Sequence, residues 1–299
     1  MTHRQSDSPW PDPPSFTEQE IRECKESGDY RPILFEWYKF VGVLSTVTAH
    51  IQRHSPAYKP VPSEHYYILV GLLNRCARLM LSNIALSHEG KFGETTAIVD
   101  RCIFETAIKI IWLCSDSSQE KFTRFLADGL KTELDFKQQI YSKIAARNGD
   151  VLPIESRMLH SIANHIDASG LTEGQIEETK KLPDLASMLM TIGLDRLIYV
   201  TAQRIGSHHI HGTWPSLLSH YLEEVPSGSR EFVPRGHDCS THSNQYLFVP
   251  KVVLHAMSSY VQYAFEDLPE TQAFEGLFQS TRDEITRIYT ESVGGDLGS

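Results

Sequence analysis

The 299-residue chain has few cysteines and fewer positive than negative side chains. Its five cysteines, Cys24, Cys76, Cys102, Cys114 and Cys239, form no C-x-x-C pair and are odd in number. That argues against a disulfide framework and for a reducing compartment. Lys and Arg total 28 against 38 Asp and Glu, a formal charge of −10. This argues against a dedicated high-affinity duplex-DNA binder, because phosphate contacts need clustered cations. It does not exclude a small RNA-holding patch. The most apolar helical stretch, Thr95 to Cys114, carries Asp100, Arg101, Glu105 and Lys109, and reads as a buried helix. No secretory signal opens the sequence, since Met1 to Ser15 is polar and Pro-rich. A soluble cytoplasmic protein is expected. G-x-G-x-x-G, G-x-x-x-x-G-K-[ST] and G-x-S-x-G are all missing, as is any strand–helix alternation, which lowers the standing of α/β nucleotide-binding and hydrolase folds.

What is present is helical periodicity. Hydrophobic residues make up 40% and charged residues 22%, enough to bury a core. Ser15-Phe16-Thr17-Glu18-Gln19-Glu20 reads as a helix start, with hydroxyl caps ahead of acids. Ile33, Leu34, Trp37, Phe40, Val41 and Leu44 predict a helix over 31–53. Leu69, Leu72, Leu73, Cys76, Leu79 and Met80 predict another over 63–89. Further helices are expected over 94–115, 118–147, 154–168, 172–180, 184–191, 194–211, 251–266 and 270–292. Between them, 223–250 reads as a long irregular loop with a small β-hairpin, through Glu231-Phe232-Val233 and Tyr246-Leu247-Phe248-Val249. The fold expected is an all-α multi-helix bundle: a flexible Pro-rich stretch over 1–15, one helical domain over 16–293 and a flexible tail over 294–299. Eight acids against Arg282 and Arg287 between Glu266 and Ser299 place much of the net charge on a solvated C-terminal face.

The densest polar cluster runs from Tyr199 through Gln203, Arg204, Ser207, His208, His209 and His211 to Trp214. On a helix, Arg204, Ser207 and His211 share one face. An Arg and a His so placed can cleave a phosphodiester, the His moving the proton and the guanidinium holding the charge on phosphorus. The blander interpretation is a His-rich helix end capping carbonyls. In the 94–115 helix, Arg101 and Glu105 are four apart, as are Glu105 and Lys109. If buried there, the charges need partners such as Arg204 or the His cluster. His237, Cys239 and His242 lie within six residues, with His220 nearby. A zinc site there would need further ligands from His208, His209 or His211, so a polar loop without metal is preferred, and no metal or cofactor is assigned.

Asn74-Arg75 through Ala85, then Gly90, then Ala97 to Glu105 resembles an uncharacterised bacterial all-helical family, a domain of unknown function, over approximately 65–265. Its marks are Arg101-Cys-Ile-Phe-Glu105 and the series Tyr199, Arg204, Ser207, His211. The arrangement is also similar to HEPN-type ribonuclease domains, in which a His follows an Arg after four to six residues. His209 and His211 both satisfy that spacing from Arg204. The resemblance implies a metal-independent endoribonuclease, a toxin or antiphage effector, acting on RNA in a cleft between two protomers. Arg204 would stabilise charge, His211 or His209 would transfer protons, and Arg101 with Glu105 would orient them; Tyr199 and Ser207 complete the site. The rival from a different class is a non-enzymatic helical interaction or sensor protein, in which Arg, Glu and His form a buried structural network.

Overall fold

The computed structural model describes residues 11–87, 90–194, 209–225, 231–236 and 239–292. Over these it is all-α, with eleven α-helices and one two-stranded antiparallel sheet. The chain groups into two compact units, one of residues 62–65 and 116–184 and the other of the remainder.

In the larger unit, α1 (Glu18–Ser27) starts as its sequence predicts. Thr17 accepts the Glu20 amide, and Glu20 reaches back to the Thr17 amide in a reciprocal cap. Along α2 (Arg31–Ala49), Ile33, Leu34, Trp37, Phe40, Val41 and Leu44 are all buried, so the predicted stripe is the core face. Helix α3 (Ser63–Leu86) buries Leu69, Leu73, Cys76, Ala77 and Met80. Among the described residues it is the one helix long and apolar enough, by length and composition, to cross a membrane. Helix α4 (Gly93–Cys114) buries Ile103, Phe104, Ala107, Ile108, Ile110, Ile111 and Leu113, in keeping with a buried helix at that place.

The smaller unit comprises α5 (Gln119–Ala146), α6 (Pro153–Ser169) and α7 (Glu173–Glu178). Its core joins Ala127, Leu130, Leu134, Ile140 and Ile144 of α5 to Ile162 and Ile166 of α6 and Ile176 of α7. His65 stacks on Phe122 in this unit, ring centroids 3.6 Å apart. The larger unit resumes at α8 (Leu185–Thr191), which packs on α4. The helix expected over 194–211 lies largely outside the described residues. His209 and Ile210 are helical, and Gly212 takes φ +54°, a left-handed conformation that glycine adopts without strain at a helix end.

Helix α9 (Trp214–Ser216) follows and passes into a π-helical turn, Leu217–Tyr221. Strands β1 (Leu222–Glu224) and β2 (Phe232–Pro234) then pair antiparallel, Glu223 opposite Val233. A small hairpin is therefore present and uses the expected run at 231–233, but that run pairs with Leu222–Glu224 and not with Tyr246–Val249. Those residues belong to α10 (Ser243–Ala264), which begins well before the expected start at 251 and contains Pro250. Two local interactions outweigh the proline. The His242 Nδ1 accepts the Asn244 amide, and the Gln245 side chain accepts the His242 amide, which closes the helix start. Tyr246, Val249 and Val253, at helical spacing, are all buried, so a helix hides more apolar surface here than a strand would. Pro250 withholds a single ladder bond. Helix α10 packs on α2, α4 and α11 (Pro269–Ser292) and is the centre of this unit.

Candidate functional site

The N-terminus of α4 and residues 239–241 are held together by backbone. The Gly93 amide donates to the Cys239 carbonyl at 2.9 Å, and the Thr241 amide donates to the Gly90 carbonyl at 3.0 Å. The Thr241 hydroxyl adds a bond to the Lys91 carbonyl at 3.2 Å. This clamp sets Cys239 beside Glu94, one residue into α4. The π-helical turn brings His220 to the same place, its Nδ1 3.1 Å from the Cys239 Sγ. π-helical turns re-aim side chains that a regular helix would point elsewhere. One ligand atom each from Glu94, His220 and Cys239 lie within 4.8 Å of one another.

Two further residues border this cluster. His209 sets its ring edge-on to His220, centroids 4.7 Å apart, and its Nδ1 lies 3.1 Å from the Ser216 hydroxyl. Arg235, just past β2, donates through Nη1 to the Ser219 carbonyl at 2.6 Å and lies 3.6 Å from the Cys239 Sγ. Burial holds the His220 imidazole below its ordinary pKa; Glu94 opposes that shift and Arg235 reinforces it. His220 is consequently neutral at pH 7, with a ring nitrogen lone pair for a proton or a metal.

Of the residues nominated from sequence, Tyr199, Arg204 and Ser207 lie outside the described residues, as do His208 and His237. His209 joins the cluster. His211 is exposed in the turn after the helix. Arg101 and Glu105 pair at 3.1 Å. Glu94, Arg101 and Glu105 fall at offsets 0, 7 and 11, one face of α4, with Arg101 about 10 Å along the axis from Glu94. His242 does not join Cys239, since its ring caps α10.

Asp100 points the other way, and its partners are not cations. Asn83 donates to one carboxyl oxygen at 2.6 Å, and Gln245 donates to the other at 2.7 Å. Burial pushes this carboxyl up to about 8 against the pull of both amides. Asp100 is thus a neutral acid at pH 7, which is why no Arg or His is needed beside it.

Nothing in the sequence marks Glu94, Ser216 or Arg235 as site residues. No spacing rule connects Glu94 to a cysteine 145 positions later. The detectable signal was the density of His and Cys between 208 and 242.

Fold and site together define an all-helical protein whose polar cluster is assembled at the start of α4 from segments distant in sequence. The chain belongs to a family of unknown function, DUF5677, which matches residues 66–229. No curated protein and no solved structure matches it. Membership of a helical family of unknown function agrees with the resemblance carried by Arg101, Glu105 and the 199–211 segment.

Proposed function

We propose that the chain is a metal-independent endoribonuclease of HEPN-like type. The observation that carries this reading is the setting of His209, half-buried with its ring oriented by Ser216, four residues beyond Arg204 by intervening count. A held imidazole is what general acid–base work needs. His209 is accordingly preferred to the exposed His211 as the proton-transfer group. The ribose 2′-oxygen attacks phosphorus as His209 takes its proton. A P–O2′ bond forms and the P–O5′ bond breaks; the departing 5′-oxygen takes a proton from water, and His209 afterwards releases its own to solvent. Arg204 stabilises the charge on the phosphoryl oxygens. Arg101, held by Glu105, is the orienting pair. A role as a toxin or antiphage effector, a cytoplasmic location and a dimeric cleft belong to the same proposal. It is tested on single-stranded RNA with chelator present. His209→Ala and Arg204→Ala each lower cleavage by roughly 10²–10⁴-fold with the fold retained, and His211→Ala lowers it far less. Equal cleavage by all four proteins contradicts the assignment.

One observation favours the interaction-protein reading. Trp214 is 55% exposed and meets Phe232 edge-on, with Ile210, Tyr221 and Val233 exposed on the same stretch of chain. An exposed Trp–Phe pair of this kind is the sort of apolar surface that contact sites use.

A further inference from the structure

We propose that Glu94, His220 and Cys239 bind one zinc(II) ion. Three separate segments deliver one thiol, one imidazole and one carboxylate to a common point: the first turn of α4, the π-helical turn and the loop after β2. That donor set suits zinc. Magnesium and calcium take all-oxygen shells, whereas thiolate with imidazole selects borderline transition ions.

The distances fit with a small closure. Tetrahedral zinc, with Zn–S near 2.3 Å and Zn–N or Zn–O near 2.0–2.1 Å, sets its ligand atoms roughly 3.3–3.8 Å apart. Here the Cys239 Sγ and His220 Nδ1 are 3.1 Å apart, and the widest pair is within 4.8 Å, so the carboxylate moves in by about 1 Å.

A second, independent observation points to a cation. The Glu94 Oε2 is buried and, among the described residues, accepts no hydrogen bond. A carboxylate oxygen removed from water without a donor is costly, and a metal ion satisfies it directly. Arg235 does not fill that role, because its Nη1 is directed to the Ser219 carbonyl at 2.6 Å. Its approach to the Cys239 Sγ at 3.6 Å instead supplies an N–H partner to the thiolate, an outer contact of the sort that tunes metal–sulfur sites. The carbonyl and amide bonds around Gly93 and Thr241 hold the Cys239 segment in place independently of any ion. The site is therefore largely formed before metal arrives, and removing a ligand leaves the fold intact.

Cleavage through His209 and Arg204 does not use this ion, so the two proposals fail separately. The test is titration of the full, tagless chain with cobalt(II), read by absorbance. The expected result is one equivalent bound, with an intense near-ultraviolet thiolate-to-cobalt band. Cys239→Ser abolishes the band, and Glu94→Gln and His220→Ala each weaken binding more than about tenfold. His242→Ala binds as the wild type does, and circular dichroism is unchanged throughout. The proposal is overturned by the lack of a band at one equivalent. It is equally overturned by a band that survives Cys239→Ser, or that Glu94→Gln and His220→Ala leave unaltered.

Discussion

Gly93→Ala tests whether the clamp between α4 and the Cys239 segment is as close as described. A Cβ at this position would sit 2.3 Å from the Ser240 carbonyl oxygen, 2.8 Å from its carbon and 3.1 Å from the Thr241 nitrogen. All three are backbone atoms, so no side chain can swing aside, and residues 239–241 must retreat by about 1 Å. Retreat lengthens the Gly93–Cys239 and Thr241–Gly90 hydrogen bonds, now 2.9 and 3.0 Å. Each contributes about 0.5–1.5 kcal/mol net, and the forced overlap adds about 1–3 kcal/mol. Alanine's better helix propensity returns at most about 1 kcal/mol. The net expectation is a loss of about 1–5 kcal/mol, measured by urea unfolding followed by circular dichroism. The sign is decisive, because propensity alone predicts a gain. A variant as stable as the wild type, or more stable, would refute the close approach.

The remaining predictions concern Asp100 and Trp214. The folded carboxyl of Asp100 titrates near 8, well above an unfolded aspartate near 3.9. As pH rises between those values the unfolded chain releases a proton that the folded chain retains, so stability falls across about pH 4–8 and is flat above it. The upper limit is about 6 kcal/mol, and relaxation around the site reduces it to a few. Asp100→Asn has no proton to release. Unfolding at pH 5 and pH 8 should therefore show a markedly smaller loss in the variant, and an identical loss in both would contradict a buried neutral acid. For Trp214, which stands 55% exposed beside Phe232, the proposed interaction-protein reading predicts that light scattering finds the wild type self-associated and Trp214→Ser more monomeric, with no loss of thermal stability. An unchanged assembly state would remove this face from consideration as a contact surface.

Much of the helical framework was legible in the residues, for identifiable reasons. Helix α2 follows from six apolar residues at helical spacing, each of which is buried, and α1 from a hydroxyl three residues ahead of a glutamate. Helix α10 was not legible at its start. Pro250 and the β-branched, aromatic run before it locally favour a break or a strand. The His242–Gln245 cap and the burial of Tyr246 and Val249 override that preference only once the core exists. The same distinction separates the site residues. Arg101 with Glu105 is a four-residue spacing within one helix and was visible as such. Glu94 meets Cys239 only because a backbone clamp joins segments far apart in the chain, and His220 reaches them only through a π-helical turn. Asp100 stands out in the sequence as a charge within an apolar helix, but its raised pKa comes from burial that only the packed helices create, against the pull of Asn83 and Gln245.

Cleavage of RNA without metal is tested most directly by the chemistry of the product ends. Purified wild-type chain is incubated with single-stranded RNA and excess EDTA, and the termini are identified by mass spectrometry. Transfer to the 2′-oxygen, as drawn for His209 and Arg204, yields 2′,3′-cyclic phosphate and 5′-hydroxyl ends, lost together in the His209→Ala variant. Intact RNA, or 5′-phosphate with 3′-hydroxyl ends, would contradict that mechanism.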